Sequence, residues 1–393
     1  MTEPIYVLAS VIYFLIRVIR PLKIAGLELG RLPWSEIAVP LAIAEDGLAR
    51  LDERLRTSPI RQGWISRTHF YDAAGSLWLD GELVHLEDLV LHDAAMDART
   101  PTHELTRAHT VLRARRRIAS APGDWALSPE GLAALIGKEP AGQGLSLTPR
   151  ETNDFKPQEK DNASVRPDES EDQAWAAELA AIDAVVSRSS AVLAGEIASM
   201  PNRKPDIYDA DWDEEARLEE WREHIKRLEG LPPVLAAAAA ILAWEAIEPL
   251  QYAAWLGRVL GASILRARDK ARFHLPCLCV GLRALPRETR FAHGPGPRLL
   301  AFIQAIAAAA EQGLKDHDRW ILARHQLERH LAGRRSTSKL PALIELMLTT
   351  PLASAQLIAK RLDITPRAAQ DLVTQLGVRE ITGRGRYRAW AII

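Results

Sequence analysis

Residues 340–393 constrain the fold of this chain most, because their helix and turn signals follow one another at short intervals. Apolar positions recur at helical spacing in three segments, and two short strand patterns follow them. The predicted elements are helices over Leu340–Thr349, Ser354–Leu362 and Pro366–Leu376 and strands over Val378–Thr382 and Arg386–Ile392. Such a segment has little freedom to fold other than as three packed helices and a hairpin.

Residues with specific backbone roles mark the helix ends. Ser354 and Thr365 are predicted N-caps, since a hydroxyl oxygen can accept from a free amide of the first turn. Pro366 suits the first position of the third helix, where a missing N–H costs nothing. Asp363 and Gly377 stand where the chain needs a left-handed conformation. This arrangement predicts a winged helix-turn-helix.

Polar side chains share the outer face of the predicted third helix, a position from which they would enter the DNA major groove. Segment 334–393 has ten Lys and Arg against four Asp and Glu, whereas the whole chain has a net charge of −1. We therefore expect double-stranded DNA as partner, although such modules also serve protein–protein contacts. The candidate DNA-binding residues are Thr365, Arg367, Gln370, Asp371, Thr374, Arg384, Arg386 and Arg388.

No cofactor or metal site is predicted. The two cysteines, Cys277 and Cys279, have a spacing that supports neither a zinc site nor a disulfide framework, and this indicates a reducing, cytoplasmic setting. His85, Asp88 and His92 lie on one helix face with metal-ligand spacing, but ordinary surface polarity explains them better.

Residues 1–30 begin with an apolar segment, Ile5–Ile16. It is too short to span a membrane comfortably and lacks the basic start of a secretory signal. Two interpretations stay open, an extension outside the fold and an amphipathic helix packed on the body, while membrane attachment is disfavoured.

The rest of the chain divides by composition. Residues 31–137 show helical patterns, including an arginine-rich helix end at Arg113–Arg117 that we interpret as a solvated face. Residues 138–172 are rich in proline and charge and are predicted to be a disordered linker. Residues 173–333 are helical again.

Within 173–333, the apolar block Leu231–Leu265 indicates a buried pair of helices. Two further helices are predicted over Arg298–Gly313 and Lys315–Leu331, and segment 334–393 follows as the winged module.

An ordered set of features crosses the block Leu231–Arg287. An alanine-rich helix comes first, then Glu248-Pro249-Leu250, then Gly257-Arg258. This order resembles the core of Fic-domain proteins, which typically transfer AMP onto protein hydroxyls and have His-Pro-Phe at the second feature. Upstream, Ser76-Leu-Trp-Leu-Asp80-Gly81 is similar to the family's inhibitory Ser-x-x-x-Glu-Gly motif. The resemblance implies a Fic-like helical body.

Departures from the Fic pattern argue against the activity. Glu248 stands where the family has its catalytic histidine, and Tyr252 replaces the acid that holds magnesium. Ala253–Leu256 replaces the glycines and asparagine that cradle phosphates, and bulky side chains do not free backbone amides for that purpose. Glu248 is interpreted as a structural partner of Arg258.

Residues 31–393 also resemble an uncharacterised group of helix-turn-helix proteins common in rhizobia, which combine a domain of unknown function, a polar linker and a C-terminal DNA-binding module. The sequence thus predicts a mainly α protein with a degenerate Fic-like body and a DNA-binding C-terminus. We expect a homodimeric transcriptional regulator that is not an enzyme. The alternative is a nucleotidyl transferase with an atypical active site.

Overall fold

The computed structural model describes residues 23–24, 27–28, 32–97, 100–137, 209, 211–331, 338–381 and 388–392. The chain divides into two compact units, residues 1–147 with 213–393 and residues 148–212. All elements given below belong to the first unit. The predicted disordered linker 138–172, most of the N-terminal segment 1–30 and the predicted turn between the last two strands lie outside the described residues.

The body is helical. Its helices are α1 (Trp34–Arg56), α2 (Arg61–Leu79), α3 (Leu86–Asp93), α4 (His103–Ser120), α5 (Pro129–Leu135), α6 (Glu214–Arg227), α7 (Pro233–Ile247), α8 (Ala254–Ala267), α9 (Leu278–Ala284), α10 (Arg287–Arg290) and α11 (Pro295–Glu328). Short 3₁₀ turns cover Trp125–Leu127 and Arg329–Leu331. Strands β1 (Lys23–Ile24) and β2 (Leu27–Glu28) pair antiparallel. The predicted mainly α fold is confirmed.

Helix α7 lies at the centre of the body. It is apolar all round, and the alanines from Ala236 to Ala240 are completely buried. A helix without a polar face has to be covered on every side, and α6, α8 and α11 pack against it. The predicted buried pair over Leu231–Leu265 is therefore confirmed as α7 and α8.

Helix α11 runs without a break from Pro295 to Glu328, so the prediction of two helices meeting near Gly313 is wrong. Gly313 permits a close approach between helices rather than a turn. A Cβ at this position would lie 2.7 Å from a methyl carbon of Leu51 and 3.1 Å from the Trp64 ring. The Trp64 indole also donates to the Gly313 carbonyl at 3.1 Å, which ties α2 to the middle of α11.

Of the arginines at the end of α4, Arg113, Arg116 and Arg117 are half-exposed, and the interpretation as a solvated face is wrong for Arg115. Arg115 is fully buried and donates to Asp72 Oδ2 at 2.5 Å and to the Leu275 carbonyl at 3.1 Å. The other Asp72 oxygen accepts from the backbone amides of Cys279 and Val280 at the start of α9. Burying the Arg115 charge is tolerable because the Asp72 carboxylate neutralises it and the Leu275 carbonyl accepts a further hydrogen bond from it.

Arg258 of α8 donates to Asp80 Oδ1 at 2.9 Å and to Ser76 Oγ at 3.1 Å. The structural pairing that we expected between Arg258 and Glu248 is therefore wrong. Glu248 ends α7 in the left-handed region, with φ of 50°. The Arg258 contact brings together the two segments on which the resemblance to Fic proteins was based.

The buried cysteines are free thiols, and burial raises the pKa of Cys277 and of Cys279 to about 12. Both are therefore neutral parts of the core near neutral pH. In the part of the chain that the structure covers, no helix is both long and apolar enough to cross a membrane, and no cluster of side chains has the make-up of a metal site.

Candidate nucleic-acid interface

The C-terminal module contains three helices and three short strands. They are α12 (Leu340–Thr349), β3 (Ala353–Ser354), α13 (Ala355–Leu362), α14 (Pro366–Leu376), β4 (Arg379–Glu380) and β5 (Ala389–Ala391). Strand β5 lies between β3 and β4 and is antiparallel to both. The three predicted helices are confirmed, and within the described residues the two predicted strands are represented by β4 and β5.

The predicted helix boundaries have the expected physical basis. Ser354 Oγ accepts from the Leu357 amide, and Thr365 Oγ1 accepts from the Ala368 amide, each at 3.2 Å. Asp363 and Gly377 adopt the left-handed conformation, with φ of 53° and 66°. These caps fix where α13 ends and where α14 begins, and so fix the angle at which the two helices meet.

Helix α14 is amphipathic. Ala369, Val373 and Leu376 are buried against α12 and α13, which requires the opposite side chains to point away from the module. The predicted contact residues Arg367, Gln370, Asp371 and Thr374 are all exposed, and so is Thr365 at the N-cap. The structure thus brings the helix residues of the prediction together on one open face.

The side chains on this face differ in their free hydrogen-bonding capacity. The Thr365 hydroxyl is engaged in the N-cap, and Thr374 Oγ1 donates to the Gln370 carbonyl at 2.9 Å. Arg367 has no acidic partner among the described residues. Its five N–H donors and the Gln370 amide are the groups on α14 best suited to base edges.

Of the three arginines predicted to lie in the wing, Arg388 lies within the described residues and Arg384 and Arg386 lie outside them. Arg388 forms an ion pair with Glu380 across the hairpin, with 2.6 Å between Nη2 and Oε2. Its guanidinium also stacks on the Trp390 ring at 5.5 Å. The hydrogen bond and charge of Glu380 raise the pKa of Arg388. Sequence reasoning missed Glu380 as the neutralising partner of Arg388. Opposite charges on the same face of two predicted neighbouring strands could have indicated the pair.

A buried arginine from the body holds the module in place, and sequence reasoning missed it. Arg67 of α2 donates through Nη1 to the carbonyl oxygens of Met347 and Thr350 at 2.8 and 2.9 Å. Its Nη2 lies 3.4 Å from the Ile392 carbonyl oxygen, and its guanidinium stacks on Trp320 at 4.7 Å. Burial lowers the pKa of Arg67. Arg67 thus satisfies the free carbonyls at the end of α12, which a helix cannot satisfy itself.

Close backbone packing completes this contact. A Cβ at Gly63, one turn before Arg67, would lie 2.8 Å from the Leu348 carbonyl oxygen, so only glycine allows α2 this close to α12. At the edge of the contact, Lys360 Nζ donates to the Ala94 carbonyl at 2.8 Å. The body therefore contacts α12, Lys360 and the end of β5, and the outer face of α14 stays open.

Comparison with known proteins agrees with this division. Residues 207–332 match a family described as a protein of unknown function (DUF1612), and residues 340–393 match an HTH DNA binding domain. The chain is 46% identical over 383 residues to the uncharacterized protein y4cF of Sinorhizobium fredii, covering 93% of this chain and 99% of that protein. The resemblance to uncharacterised rhizobial proteins is confirmed. Neither family model is that of Fic proteins, and the Fic-like body stays a prediction.

Proposed function

This chain belongs to the family of the uncharacterized rhizobial protein y4cF, and on that premise we propose that it is a cytoplasmic, sequence-specific DNA-binding protein that regulates transcription. One observation carries the proposal. The module that matches an HTH DNA binding domain is docked on the body, yet the polar face of α14 remains exposed. On this face the Arg367 guanidinium and the Gln370 amide are groups suited to base edges, which supports the proposal.

In the proposed complex, α14 enters the major groove of double-stranded DNA. Arg367 and Gln370 read base edges, because guanidinium and amide groups can each make two hydrogen bonds to a purine. Thr365 and the first-turn amides of α14 lie at the positive end of the helix dipole and meet a phosphate. Thr374, one turn beyond Gln370, contacts the sugar-phosphate backbone.

The hairpin acts as a wing in this proposal. Arg384, Arg386 and Arg388 contact phosphates or a minor groove beside the site and so fix the orientation of α14. Asp371 has the opposite effect on phosphates because it is anionic. Its carboxylate accepts from a cytosine amino group or repels wrong sequences, and it therefore adds specificity rather than affinity.

The body positions two modules on one operator. A single helix-turn-helix buries little surface on DNA, and dimers of such proteins bind half-sites about one helical turn apart. We therefore propose a homodimer.

The proposed regions of the chain are 1–30, 31–137, 138–172, 173–333 and 334–393, with 138–172 as a linker.

Selection of bound sequences from genomic DNA, followed by fluorescence anisotropy on the selected site, tests the proposal. Arg367→Ala is expected to weaken binding about 5- to 150-fold, since a bidentate base contact contributes about 1–3 kcal/mol. Arg50→Ala is the matched control, because Arg50 is an exposed arginine of α1 whose one acidic partner among the described residues is Asp46 of the same helix. Failure of the intact protein to enrich any sequence, or equal effects of the two variants, would contradict the proposal.

A further inference from the structure

A cleft in the body lies between α1, α2, α9 and α11 and has a volume of about 410 Å³. Its floor is apolar and includes Leu51, Trp64, Cys277, Ala309 and Ala310. Its polar rim is formed by Tyr71, Arg283, Asp316 and Arg319. Concave sites of this size, with an apolar interior and a few polar groups, are the usual form of small-molecule sites.

The rim charges select the ligand class. Arg319 is paired with Asp316 at 2.7 Å, and Asp316 also accepts from Gln312 at 3.1 Å. Arg283 is exposed and stacks on Trp78 at 5.1 Å, and among the described residues it has no acidic partner. His274 and Cys277 of the wall are neutral near pH 7, because burial lowers the pKa of His274 and raises that of Cys277. The rim thus carries one uncompensated positive charge.

One rim residue is connected to the C-terminal module through Arg67. The Tyr71 hydroxyl accepts from Arg67 Nη2 at 3.3 Å, and the Tyr71 ring is stacked with Trp320, with 6.2 Å between centroids. Arg67 stacks on the same indole and donates to the Met347 and Thr350 carbonyls of α12. Two successive hydrogen bonds therefore separate the cleft from the end of α12.

We propose that this cleft binds a small organic anion with an apolar body, such as an aromatic monocarboxylate, and that Tyr71 and Arg67 couple its binding to the C-terminal module. The effect on DNA affinity rests on the function proposed above, whereas the binding site does not. The apolar body covers the floor, and the carboxylate faces Arg283 and Arg319, whose guanidinium groups match its geometry.

The coupling has a physical basis in the Tyr71 hydroxyl. This group accepts from Arg67, and no acceptor for its own proton lies among the described residues. A carboxylate at the rim supplies one. The O–H then donates to the ligand while its oxygen accepts from Arg67, and consecutive hydrogen bonds strengthen one another. No covalent bond or proton transfer is involved.

Isothermal titration of the full-length protein with 2-naphthoate tests the site, with neutral 2-naphthamide as the matched probe. Saturable binding of 2-naphthoate with Kd below about 1 mM is expected, and 2-naphthamide is expected to bind at least about tenfold more weakly. Arg283→Gln is expected to remove most of that difference, whereas Arg287→Gln, an exposed arginine of α10 outside the cleft, is expected to retain it. No saturable binding, or equal binding of the two probes, overturns the proposal.

Val280→Trp gives a second test, because Val280 is half-buried in the cleft wall and a larger side chain would occupy the space. We expect this variant to lose 2-naphthoate binding. Binding that persists in a folded Val280→Trp protein places the ligand elsewhere and overturns the site. A Val280→Trp protein that does not fold leaves Arg283→Gln as the deciding variant.

Hydrogen exchange of the α12 amides measures the coupling without DNA. Saturating 2-naphthoate is expected to slow exchange at the end of α12 in the wild type and not in Tyr71→Phe, which keeps the aromatic ring and lacks the hydroxyl. On a selected DNA site, the same ligand is expected to change the DNA Kd about fivefold or more, again only with Tyr71 present. Equal responses of the two proteins overturn the coupling. A chain that binds 2-naphthoate but no DNA refutes the DNA-binding function and leaves the cleft intact.

Discussion

The Arg67 guanidinium donates to the Met347 carbonyl at 2.8 Å, and through this contact a charged side chain of the body ends a helix of the C-terminal module. A basic group at a helix C-terminus is favoured by the helix dipole as well as by the free carbonyls. Arg67 is 1% exposed, so water cannot replace it there.

Arg67→Met is therefore expected to lower the free energy of unfolding by roughly 2–5 kcal/mol, because it leaves the buried Met347 and Thr350 carbonyls without donors. Denaturant unfolding measures the loss, and hydrogen exchange is expected to show that α12 is the part most affected. Arg56→Met is the control, since Arg56 is exposed and, within the part of the chain that the structure describes, its side chain pairs with Glu53 one turn away and with no other acid. Similar unfolding of Arg67→Met and Arg56→Met would show that the contact contributes little.

The buried pair of Arg115 and Asp72 gives a second prediction. Arg115→Met leaves the Asp72 carboxylate uncompensated in the core, and a loss of about 3–5 kcal/mol in the free energy of unfolding is expected. Combining it with Asp72→Asn is expected to recover part of that loss, because the stranded charge is gone while the amide oxygen can still accept from the α9 amides. Denaturant unfolding of both single variants and the double variant measures the coupling. Additive losses would argue against a direct interaction.

The acid sensitivity of Asp93 follows from its contacts. Burial raises the pKa of Asp93, but hydrogen bonds with His109 and Arg116 outweigh burial and hold the pKa at about 2, below the ordinary 3.8. A carboxyl group with a lowered folded-state pKa stabilises the protein above its unfolded-state value, and this contribution is lost as the pH falls through 3.8 towards 2.

Asp93→Asn is accordingly expected to lower the free energy of unfolding by about 1–2 kcal/mol at pH 6. At pH 3 the difference from the wild type is expected to shrink by about half, since Asp93 in the unfolded chain is then largely protonated. Urea unfolding of both proteins at both pH values measures this difference. Asp46→Asn, whose side chain is exposed, is expected to change little at either pH. A pH-independent effect of Asp93→Asn would contradict this account.

Glu380 is predicted to limit DNA affinity. It neutralises Arg388 on the hairpin, and Glu380→Gln adds one positive charge close to the proposed wing. We expect tighter DNA binding and a steeper salt dependence, with the slope of log K against log salt changing by about one. Anisotropy titrations over a range of salt measure both. Glu345→Gln on α12 removes an acid that pairs with Arg324 of the body, while Arg324 keeps its pair with Glu328, and it is expected to leave the slope unchanged. An unchanged slope for Glu380→Gln would place Arg388 away from the phosphates.

Local signals in the sequence were enough for the C-terminal module. Ser354, Thr365, Asp363 and Gly377 each act within one turn of their own position, so their roles can be assigned without knowing what the chain packs against. The exposure of Arg367 and Gln370 followed from the same helical periodicity. The prediction failed at Gly313, because a glycine looks the same in a sequence whether it ends a helix or lets another helix approach closely.

The sequence by itself therefore determined the helical class, the buried centre at α7 and α8, and the polar face of α14, since each depends on spacing along one element. Tertiary structure alone decided the partners of the charges. Arg115 and Asp72 lie 43 positions apart, and Arg67 lies 280 positions before Met347. The sequence around an arginine does not show whether its side chain is buried, because the acceptors that make its burial favourable come from distant segments. The cleft and its connection to α12 depend on the same long-range contacts.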